Sequence, residues 1–357
     1  MKKVCFFGIY KSEFARNRVL IEGFKRHGFG VVECKVDPTE LGSIEKYFAL
    51  YREYRAIRKQ KFDHIIVAFP AHAVVWFAWL LFGNRIIFDA WDSLYDANVV
   101  DRRLYSGRSI RGIRDFLFDW IGVRVSQYTL LHSKGTKDLF LSRFGGSPDR
   151  YIVLYTGTDD MLFHPLPERV KEEGEPFYAH FHAAFTPVQG VEHIVEAAKI
   201  LRGKGVEVHI VGYGGRLYRE IEEKVTREEL SDVVTLHGRV PFLDMPLWIA
   251  KADACIGIFG DTEKAKTTSV PTKIFEYIAM KKAVVTADTL PIREVFVDKE
   301  NILLARIADP GDLASKLLLL KQDKELRERI AENSYTLFKR AFTPQAVVQT
   351  LLQHLHD

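Results

Sequence analysis

The strongest constraint on the fold of this 357-residue chain is an alternation of short apolar runs with longer stretches of helical period. Six runs in the first half have the composition of buried strands: KVCFFG, VVECKV, HIIVAF, RIIFDA, YTLLHS and YIVLYT. Helical patterns lie between them, as in RNRVLIEGFKRHG, where Gly28 closes the predicted helix. Such an alternation predicts parallel α/β units.

A break interrupts this pattern, and the pattern then restarts. The segment HPLPERVKEEGEP is rich in proline and charge, and we interpret residues 166–176 as an interdomain linker. The runs FYAHFHA, VEVHIVG, VVTLHG, ACIGIFG and AVVTAD follow it. The sequence therefore predicts two Rossmann-like, doubly wound α/β domains, 1–165 and 177–340, that face each other across a ligand-binding cleft. We expect a last helix, 341–357, to pack back on the first domain.

Charge is distributed unevenly along the chain. Residues 1–165 hold 25 Lys and Arg against 18 Asp and Glu, whereas the remainder holds 26 against 29. The basic first half suggests an anionic partner, such as a membrane surface, a phosphorylated acceptor or nucleic acid. A surplus of this size is also commonplace in proteins that have no such partner.

Cysteine usage argues against a disulfide-stabilised protein, and the lengths of the apolar runs argue against a signal peptide and a membrane-spanning segment. Cys5, Cys34 and Cys255 lie in separate apolar runs, which indicates buried free thiols in a reducing compartment. The apolar run near the N-terminus is too short for the core of a signal peptide. The longest run, AVVWFAWLLFG, falls well short of the ~20 residues that span a bilayer.

The stretch TTSVPTKIFEYIAMKKAVVTAD carries the first chemical signal. Pro271 suits a first helical turn, which Thr268 or Ser269 can cap, and the N-terminus of such a helix attracts anions. Lys273 adds a charge in that turn. Glu276 lies on the same face, where its carboxylate can accept hydrogen bonds from two vicinal hydroxyls. A ribose diphosphate fits this arrangement, and the alternative is a solvated Lys273–Glu276 pair that contributes little.

Two neighbouring segments add candidates. GIFGDTEKAK brings Lys264 and Lys266 near the same helix start, where they either clamp a diphosphate or belong to a solvated loop. IVGYGG places Gly212 and Gly214 between a strand and a helix, where glycine permits close approach of a ligand. This pattern is a weak dinucleotide fingerprint without the acidic residue that binds an adenosine ribose, so we expect no NAD. Neither the histidines nor the cysteines have the spacing of metal ligands.

In the first half, polar candidates gather at the carboxyl ends of predicted strands. Arg16 and Asn17 begin the helix after the first strand. Asp89, Asp92 and Asp96 lie just beyond the fourth strand. Carboxylates at this edge can orient a sugar hydroxyl or help remove its proton. The alternative is that they cap helices and turns, and it is strongest for Asp96.

The segment VPTKIFEYIAMKKAVVTADTLPIREVF resembles the donor-site segment of retaining nucleotide-sugar glycosyltransferases of the large family 4, which have the GT-B fold. Other similar segments are LYTGTDDMLFHP, GVEHIVEAAKILRGKGVEVHIVGYGG and VVTLHGRVPFLDMPLWIAKADACI. Together they cover most of the chain in the family's order and spacing. AFTPVQGVEHIVEAA and IFGDTEKAK are most similar to a bacterial and archaeal subgroup.

The resemblance implies roles for individual residues. Glu276 matches the second Glu of the family's E-x7-E motif and would bind the nucleotide ribose. The helix that begins near Ser269–Pro271, with Lys273, would lie against the donor diphosphate. The other implied donor-side positions are Gly212 and Gly214 along the nucleotide cleft, Arg239 near the base and Gly8 beside the transferred sugar.

The chain departs from the family pattern at charged positions. Thr268 stands where the first Glu of the motif is expected, and the family's usual Arg and Lys fall on Ala183 and Gln189. No His stands near DAWD, where the family has a catalytic His. We expect Lys264 and Lys273 with the helix N-terminus to replace the missing pair, because two cations and aligned N–H groups can offset a diphosphate leaving group.

The expected function is retaining transfer of a sugar from a nucleotide-sugar donor to a hydroxyl of a glycan or lipid-linked acceptor. The donor is a co-substrate, and we expect neither a cofactor nor a metal. The residues expected in catalysis are Asp89, Asp92, Lys264 and Lys273, with Arg16, Asn17 and Asp96 on the acceptor side. Two alternatives stay open: a catalytically silent GT-B partner that binds nucleotide sugars, and a nucleotide-sugar epimerase.

The stretch DRRLYSGRSIRGIRDFLFDWIGVR interleaves arginines with Ile, Phe, Leu and Trp. Such a segment can lie on an anionic bilayer, or it can be a helix packed in the first domain with an arginine-rich outer face. We expect a cytoplasmic protein, with the inner face of the membrane as a candidate site of peripheral contact and with no nucleic-acid partner.

Overall fold

The computed structural model describes residues 1–39, 41–42, 44–167 and 171–355, and the chain divides into two compact units. The first unit comprises Met1–Asp159 and Phe342–Asp357, and the second comprises Asp160–Ala341. Of the predicted linker 166–176, residues 168–170 lie outside the described residues.

The first unit is built on a parallel sheet of six strands. They are β1 (Lys3–Ile9), β2 (Gly30–Val36), β3 (His64–Val67), β4 (Ile86–Trp91), β5 (Tyr128–Leu131) and β6 (Tyr151–Val153), in the spatial order β2-β1-β3-β4-β5-β6. The helices of its first segment are α1 (Ala15–Arg26), α2 (Glu45–Ile57), α3 (Val75–Phe82), α4 (Ile110–Val125) and α5 (Lys134–Phe144). The strand order reverses beside β1, and ligands of open α/β sheets bind at the carboxyl ends of the strands near such a reversal.

The second unit repeats this plan with another parallel sheet. Its strands are β7 (Phe177–Ala184), β8 (Val206–Tyr213), β9 (Val234–Leu236), β10 (Ala254–Ile256), β11 (Ala283–Ala287) and β12 (Leu303–Ala305), in the order β12-β11-β10-β7-β8-β9. Its helices are α6 (Val191–Leu201), α7 (Gly215–Arg227), α8 (Met245–Lys251), α9 (Glu263–Thr267), α10 (Thr272–Ala279), α11 (Leu290–Arg293), α12 (Pro310–Gln322) and α13 (Lys324–Ala341). The reversal lies beside β7, so the carboxyl end of β7 is the expected place for a ligand.

The last helix, α14 (Pro344–Leu352), packs against α1 of the first unit. Gly23 permits this close approach, because a Cβ atom at Gly23 would lie 2.2 Å from the carbonyl oxygen of Pro344. Val348 and Leu351 of α14 join the apolar core that α1 forms with one face of the sheet.

The predicted α/β fold class is confirmed, since both sheets are parallel and are flanked by helices. Each run that was predicted as a strand overlaps one of the strands, whereas the longest apolar run, AVVWFAWLLFG, forms α3. The central runs are apolar throughout because both faces of a parallel sheet are covered, and Val4, Cys5, Phe6 and Phe7 of β1 are all fully buried. The strand β12 was not predicted from the sequence.

Among the helices in the described part of the chain, none has the length and apolar character needed to cross a bilayer.

Candidate functional site

A chain of hydrogen-bonded side chains links α10 to the carboxyl end of β7 in the second unit. His182 Nε2 lies 2.8 Å from Glu276 Oε2, and His182 Nδ1 lies 3.0 Å from His180 Nε2. The backbone N–H of His182 donates to the hydroxyl oxygen of Tyr277 at 3.2 Å. Within the described residues, no group of three or more His, Cys, Asp or Glu side chains is arranged to hold a metal ion.

The protonation of the two histidines follows from their partners. An ionised carboxylate only accepts hydrogen bonds, so His182 donates from Nε2 to Glu276 and accepts at Nδ1 from His180. Burial lowers the pKa of His182, although the bond to Glu276 opposes this shift. Burial also holds the pKa of His180 well below its ordinary value, and His182 acts in the same direction. Both rings are therefore neutral at neutral pH, and they fix the orientation of Glu276.

Lys273 is buried beside this chain. Its Nζ donates to the side-chain oxygen of Gln189 at 2.5 Å and lies 3.8 Å from the centre of the Phe181 ring. Burial holds the pKa of Lys273 well below its ordinary value, and the Glu276 carboxylate opposes that shift. Lys273 is only 6% exposed and Glu276 only 4%, so the alternative of a solvated pair on the surface is wrong.

The start of α10 differs from the prediction. Pro271 is the N-cap residue, and no side chain caps the helix. Thr268 instead closes α9, because its hydroxyl donates to the carbonyl oxygen of Lys264 at 3.2 Å, and the Ser269 N–H donates to the same oxygen at 2.9 Å. The predicted capping by Thr268 or Ser269 is therefore wrong: a short preceding helix takes up both residues. The first N–H groups of α10 lack intrahelical acceptors, which favours an anion at this end.

A pocket of about 430 Å³ opens at the carboxyl ends of β7 and β8. His182, Gly212 and Arg239 are among the residues that line it. The Arg239 guanidinium lies 4.9 Å from the centre of the Tyr213 ring, which also lines the pocket. The structure thus brings two predicted donor-side residues, Gly212 and Arg239, into one pocket, and His182 connects that pocket to Glu276.

Local packing and backbone conformation account for Gly212 and Gly214 at the end of β8 without a ligand. A Cβ atom at Gly212 would lie 2.2 Å from Cε1 of Phe185, which leaves no room for a side chain. Gly214 has a φ of +142°, which residues with side chains rarely adopt. Their contact with a nucleotide stays a prediction.

The lysines around the start of α10 differ in their burial and in their contacts. Lys266 is exposed and pairs with Asp261. Lys264 is half-buried on α9, while Lys273 is buried on α10. The role predicted for Lys264 in catalysis stays a prediction.

In the first unit, Arg16 on α1 and Asp89 on β4 form a fully buried ion pair. Arg16 Nε lies 3.1 Å from Asp89 Oδ2, its Nη2 lies 3.0 Å from Oδ1, and its Nη1 donates to the carbonyl oxygen of Leu154 at 2.7 Å. These contacts tie α1, β4 and the segment after β6 together, so they give both residues a structural role. Direct contact of either residue with a substrate stays a prediction.

Asn17 and Gly8 lie near the carboxyl end of β1. Asn17 Nδ2 donates to the carbonyl oxygens of Lys11 and Phe69 at 3.0 and 2.6 Å. Among the described residues no donor reaches the buried Asn17 Oδ1. Gly8 has a φ of +153°, so a backbone conformation rather than a lack of space requires glycine there.

The loop after β4 is anchored by Asp119 of α4. The Asp119 carboxylate accepts hydrogen bonds from the Ser93 hydroxyl at 2.7 Å and from two backbone N–H groups of the loop. Burial raises the pKa of Asp119, and His72 and these donors oppose the shift. Asp92 is nearly buried and accepts from the Ser93 N–H at 2.9 Å, while Asp96 pairs with Arg143. The substrate roles of Asp92 and Asp96 stay predictions.

Two residues with a clear part in this geometry were not among the predicted site residues. His182 was considered only among histidines without the spacing of metal ligands, and Asp119 was not predicted to have a role. The alternation in HFH does place His180 and His182 on one face of β7. The partner Glu276 lies on a distant element, so only the packing of α10 against β7 reveals the contact.

Comparisons with known proteins agree with this architecture. Residues 165–337 match the family model described as Glycosyl transferases group 1. An uncharacterized glycosyltransferase from Methanocaldococcus jannaschii is 27% identical over 211 residues, which are 58% of this chain. That alignment spans only 55% of the relative's own length.

Solved structures of similar fold cover nearly the whole chain. The crystal structure of Anabaena HepE in complex with UDP and glucose has a TM-score of 0.71 at 17% identity and covers 99% of both chains. Sucrose-phosphate synthase from Thermosynechococcus elongatus has a TM-score of 0.73 at 15% identity, and the match covers 99% of this chain and 98% of that one. At such low identity these likenesses establish the two-domain α/β fold alone.

Proposed function

We propose that this chain is a group 1 glycosyltransferase, which the match of residues 165–337 supports, and that it moves a sugar from a nucleotide-sugar donor to a hydroxyl of a glycan or lipid-linked acceptor with retention of the anomeric configuration. The donor binds on the second unit, and the first unit holds the acceptor. Support for a nucleotide-sugar donor comes from HepE, which has been crystallised with UDP-glucose and with UDP.

The placement of Lys273 carries this proposal. The resemblance puts the family's diphosphate-binding Lys at position 189, where this chain has Gln. The Lys273 Nζ lies 2.5 Å from the side-chain oxygen of that same Gln189. We infer that Lys273 of α10 supplies the positive charge that the family's Lys provides at position 189, where this chain has Gln.

The proposed chemistry uses groups of the protein in place of a metal. The bond between the anomeric carbon and the diphosphate breaks, and charge develops on the leaving diphosphate. Lys273, the first N–H groups of α10 and Lys264 stabilise this charge. The acceptor oxygen bonds to the anomeric carbon and gives up its proton, for which Asp92 is the remaining candidate base because Arg16 engages the Asp89 carboxylate.

The remaining residues of the donor site bind the ribose and the base of the nucleotide. Glu276, held by His182, accepts hydrogen bonds from the ribose hydroxyls. The pocket lined by Gly212 and Arg239 takes the base, which can stack on the Arg239 guanidinium or the Tyr213 ring.

A screen of donors tests the proposal. Thermal unfolding is followed with UDP, GDP, ADP, CMP and TDP sugars, and the correct donor raises the unfolding temperature because it binds only the folded state. Product analysis with that donor and a range of acceptors then yields a glycoside of retained configuration. The proposal fails if no nucleotide sugar binds, or if the product has the inverted configuration.

The missing family charges favour a second candidate function, a catalytically silent protein that binds nucleotide sugars. Thr268, Ala183 and Gln189 are uncharged where the family has Glu, Arg and Lys. Calorimetric binding of a nucleotide sugar without hydrolysis or transfer favours this candidate. Conversion of the donor sugar without an acceptor indicates an epimerase instead.

A further inference from the structure

The outer face of α4 exposes large apolar side chains in a continuous row. Ile110, Ile113, Leu117 and Trp120 are 88%, 50%, 44% and 39% exposed. At 3.6 residues per turn they fall within roughly one quarter of the helix circumference. Single exposed apolar residues are normal on protein surfaces, but a contiguous row marks an interaction surface. We refer to these four residues as the α4 stripe.

The opposite face of α4 accounts for how the helix packs. Gly112, Asp115, Asp119, Gly122 and Val123 are buried. A Cβ atom at Gly122 would lie 2.4 Å from the ring of Phe88 on β4, so the helix rests closely on the sheet. The α4 stripe is therefore the face turned away from the sheet.

The exposed charged side chains of α4 and of the loop just before it are all arginines. Between positions 102 and 125 the exposed charged residues are the arginines at 102, 103, 108, 111, 114 and 124, whereas the two carboxylates, Asp115 and Asp119, are buried. Asp115 pairs with Arg114 at 2.7 Å. In the described part of the chain the other five arginines form no ion pair, and the Arg124 guanidinium lies 5.2 Å from the centre of the Trp120 ring.

We propose that α4 and the loop before it bind the surface of an anionic lipid bilayer. The α4 stripe enters the boundary between headgroups and acyl chains, and the arginines contact lipid phosphates. A second copy of the chain would cover the stripe but would oppose two sets of arginines, and a nucleic acid would neutralise the arginines but leave the stripe in water. An anionic bilayer would both cover the α4 stripe and neutralise the arginines.

The binding itself does not depend on the proposed sugar transfer. If that function also holds, the surface brings the protein to a lipid-linked acceptor, since α4 follows the segment after β4 that contains the acceptor-side candidate Asp96.

Sedimentation with lipid vesicles tests the proposal without any donor or acceptor. The parent protein is mixed with vesicles of phosphatidylglycerol and phosphatidylcholine in equal parts, and with vesicles of phosphatidylcholine alone. We expect binding to the anionic vesicles that weakens with salt, and much weaker binding to the neutral ones. Failure to bind anionic vesicles, or equal binding to both, overturns the proposal.

Variants identify the surface. Ile113→Glu with Leu117→Glu should lower vesicle partitioning by at least about tenfold, and each of Arg108→Gln and Arg111→Gln by about fivefold. Leu243→Glu, an exposed apolar residue of the second unit, is the matched control and should bind like the parent. Unfolding temperatures verify that each variant is folded. Unchanged binding by the α4 variants overturns the proposal, as does a parent dimer in analytical ultracentrifugation that the stripe variant dissociates.

Discussion

Within the described residues, the Glu276 carboxylate forms a hydrogen bond through one of its two oxygens. Oε2 lies 2.8 Å from His182 Nε2, whereas among the described residues no hydrogen bond to Oε1 is formed. Since His182 is itself fixed by His180 at 3.0 Å, the free oxygen has a defined direction. A carboxylate ordered before binding loses little entropy when it accepts a ligand's hydroxyls. At this position such an arrangement suits the two vicinal hydroxyls of a ribose.

Replacement of Glu276 by Gln tests this role. We expect the affinity for the correct nucleotide sugar to fall by about tenfold or more, because the charged acceptor of the ribose hydroxyls is lost. Calorimetry measures the effect, and the 2′-deoxy analogue of the same nucleotide provides the control. The parent should prefer the ribose form, and the Glu276→Gln variant should have lost most of that preference. An equal preference in both proteins would place the ribose elsewhere.

The buried side-chain amine of Lys273 links donor binding to proton uptake. Burial lowers the pKa of Lys273 in the free protein, and a bound diphosphate raises that pKa again. Binding is then accompanied by proton uptake, so affinity increases as pH falls from the pKa of the bound state toward that of the free state, and it levels off outside this window.

Calorimetry in two buffers of different ionisation enthalpy measures this uptake directly. A nucleotide sugar is the suitable ligand because its diphosphate is esterified at both ends and does not titrate near neutral pH. We expect proton uptake by the parent and none by Lys273→Met. Equal proton uptake by both proteins would assign the linkage to another group.

At the scale of elements, the apolar runs predicted eleven of the twelve strands named above, while the ends of the helices at the site could not be predicted. The helix in RNRVLIEGFKRHG ends as α1 at Arg26, and Gly28 follows with a left-handed φ of +77°. The start of α10 was misplaced because Thr268 and Ser269, which looked like its caps, bond instead to the carbonyl oxygen of Lys264 in α9. A five-residue helix has too few turns to show a period, so this boundary was hidden in the sequence.

The Arg16–Asp89 pair joins three elements of the first unit, and its removal should lower the stability of the protein. Asp89→Asn leaves the buried Arg16 charge without a full partner, so we expect the free energy of unfolding to fall by about 3–5 kcal/mol. The double variant Arg16→Met with Asp89→Leu should recover most of this loss, since it removes both charges together.

Denaturant unfolding of the first unit measures these changes. The matched control is Asp96→Asn, whose pair with Arg143 lies partly in solvent and should contribute at most about 1 kcal/mol. An Asp89→Asn variant that unfolds like the parent but loses turnover would instead support the predicted catalytic role of Asp89.

At the scale of the whole molecule, alternation of apolar and helical segments was sufficient for the α/β class. Parallel strands buried on both faces, such as β1, leave long apolar runs that are visible in sequence. The site was less accessible to prediction because its contacts join distant segments: Lys273 meets Gln189, and His182 meets Glu276. Residue type and spacing indicated Lys273 and Glu276, but only packing revealed the partners of both.

Turnover of the Lys273→Met variant with the correct donor tests most directly whether Lys273 stabilises the charge that develops on the leaving diphosphate. We expect turnover to fall by about 100-fold to 1,000-fold, because the cation nearest the developing charge is lost. The unfolding temperature should not fall, since methionine is buried more readily than an ammonium and the half-buried Gln189 can bond to water. Lys266→Met, at a surface lysine paired with Asp261, should keep the parent's turnover. Parent-like turnover in a folded Lys273→Met variant would contradict the assignment of this lysine to the diphosphate.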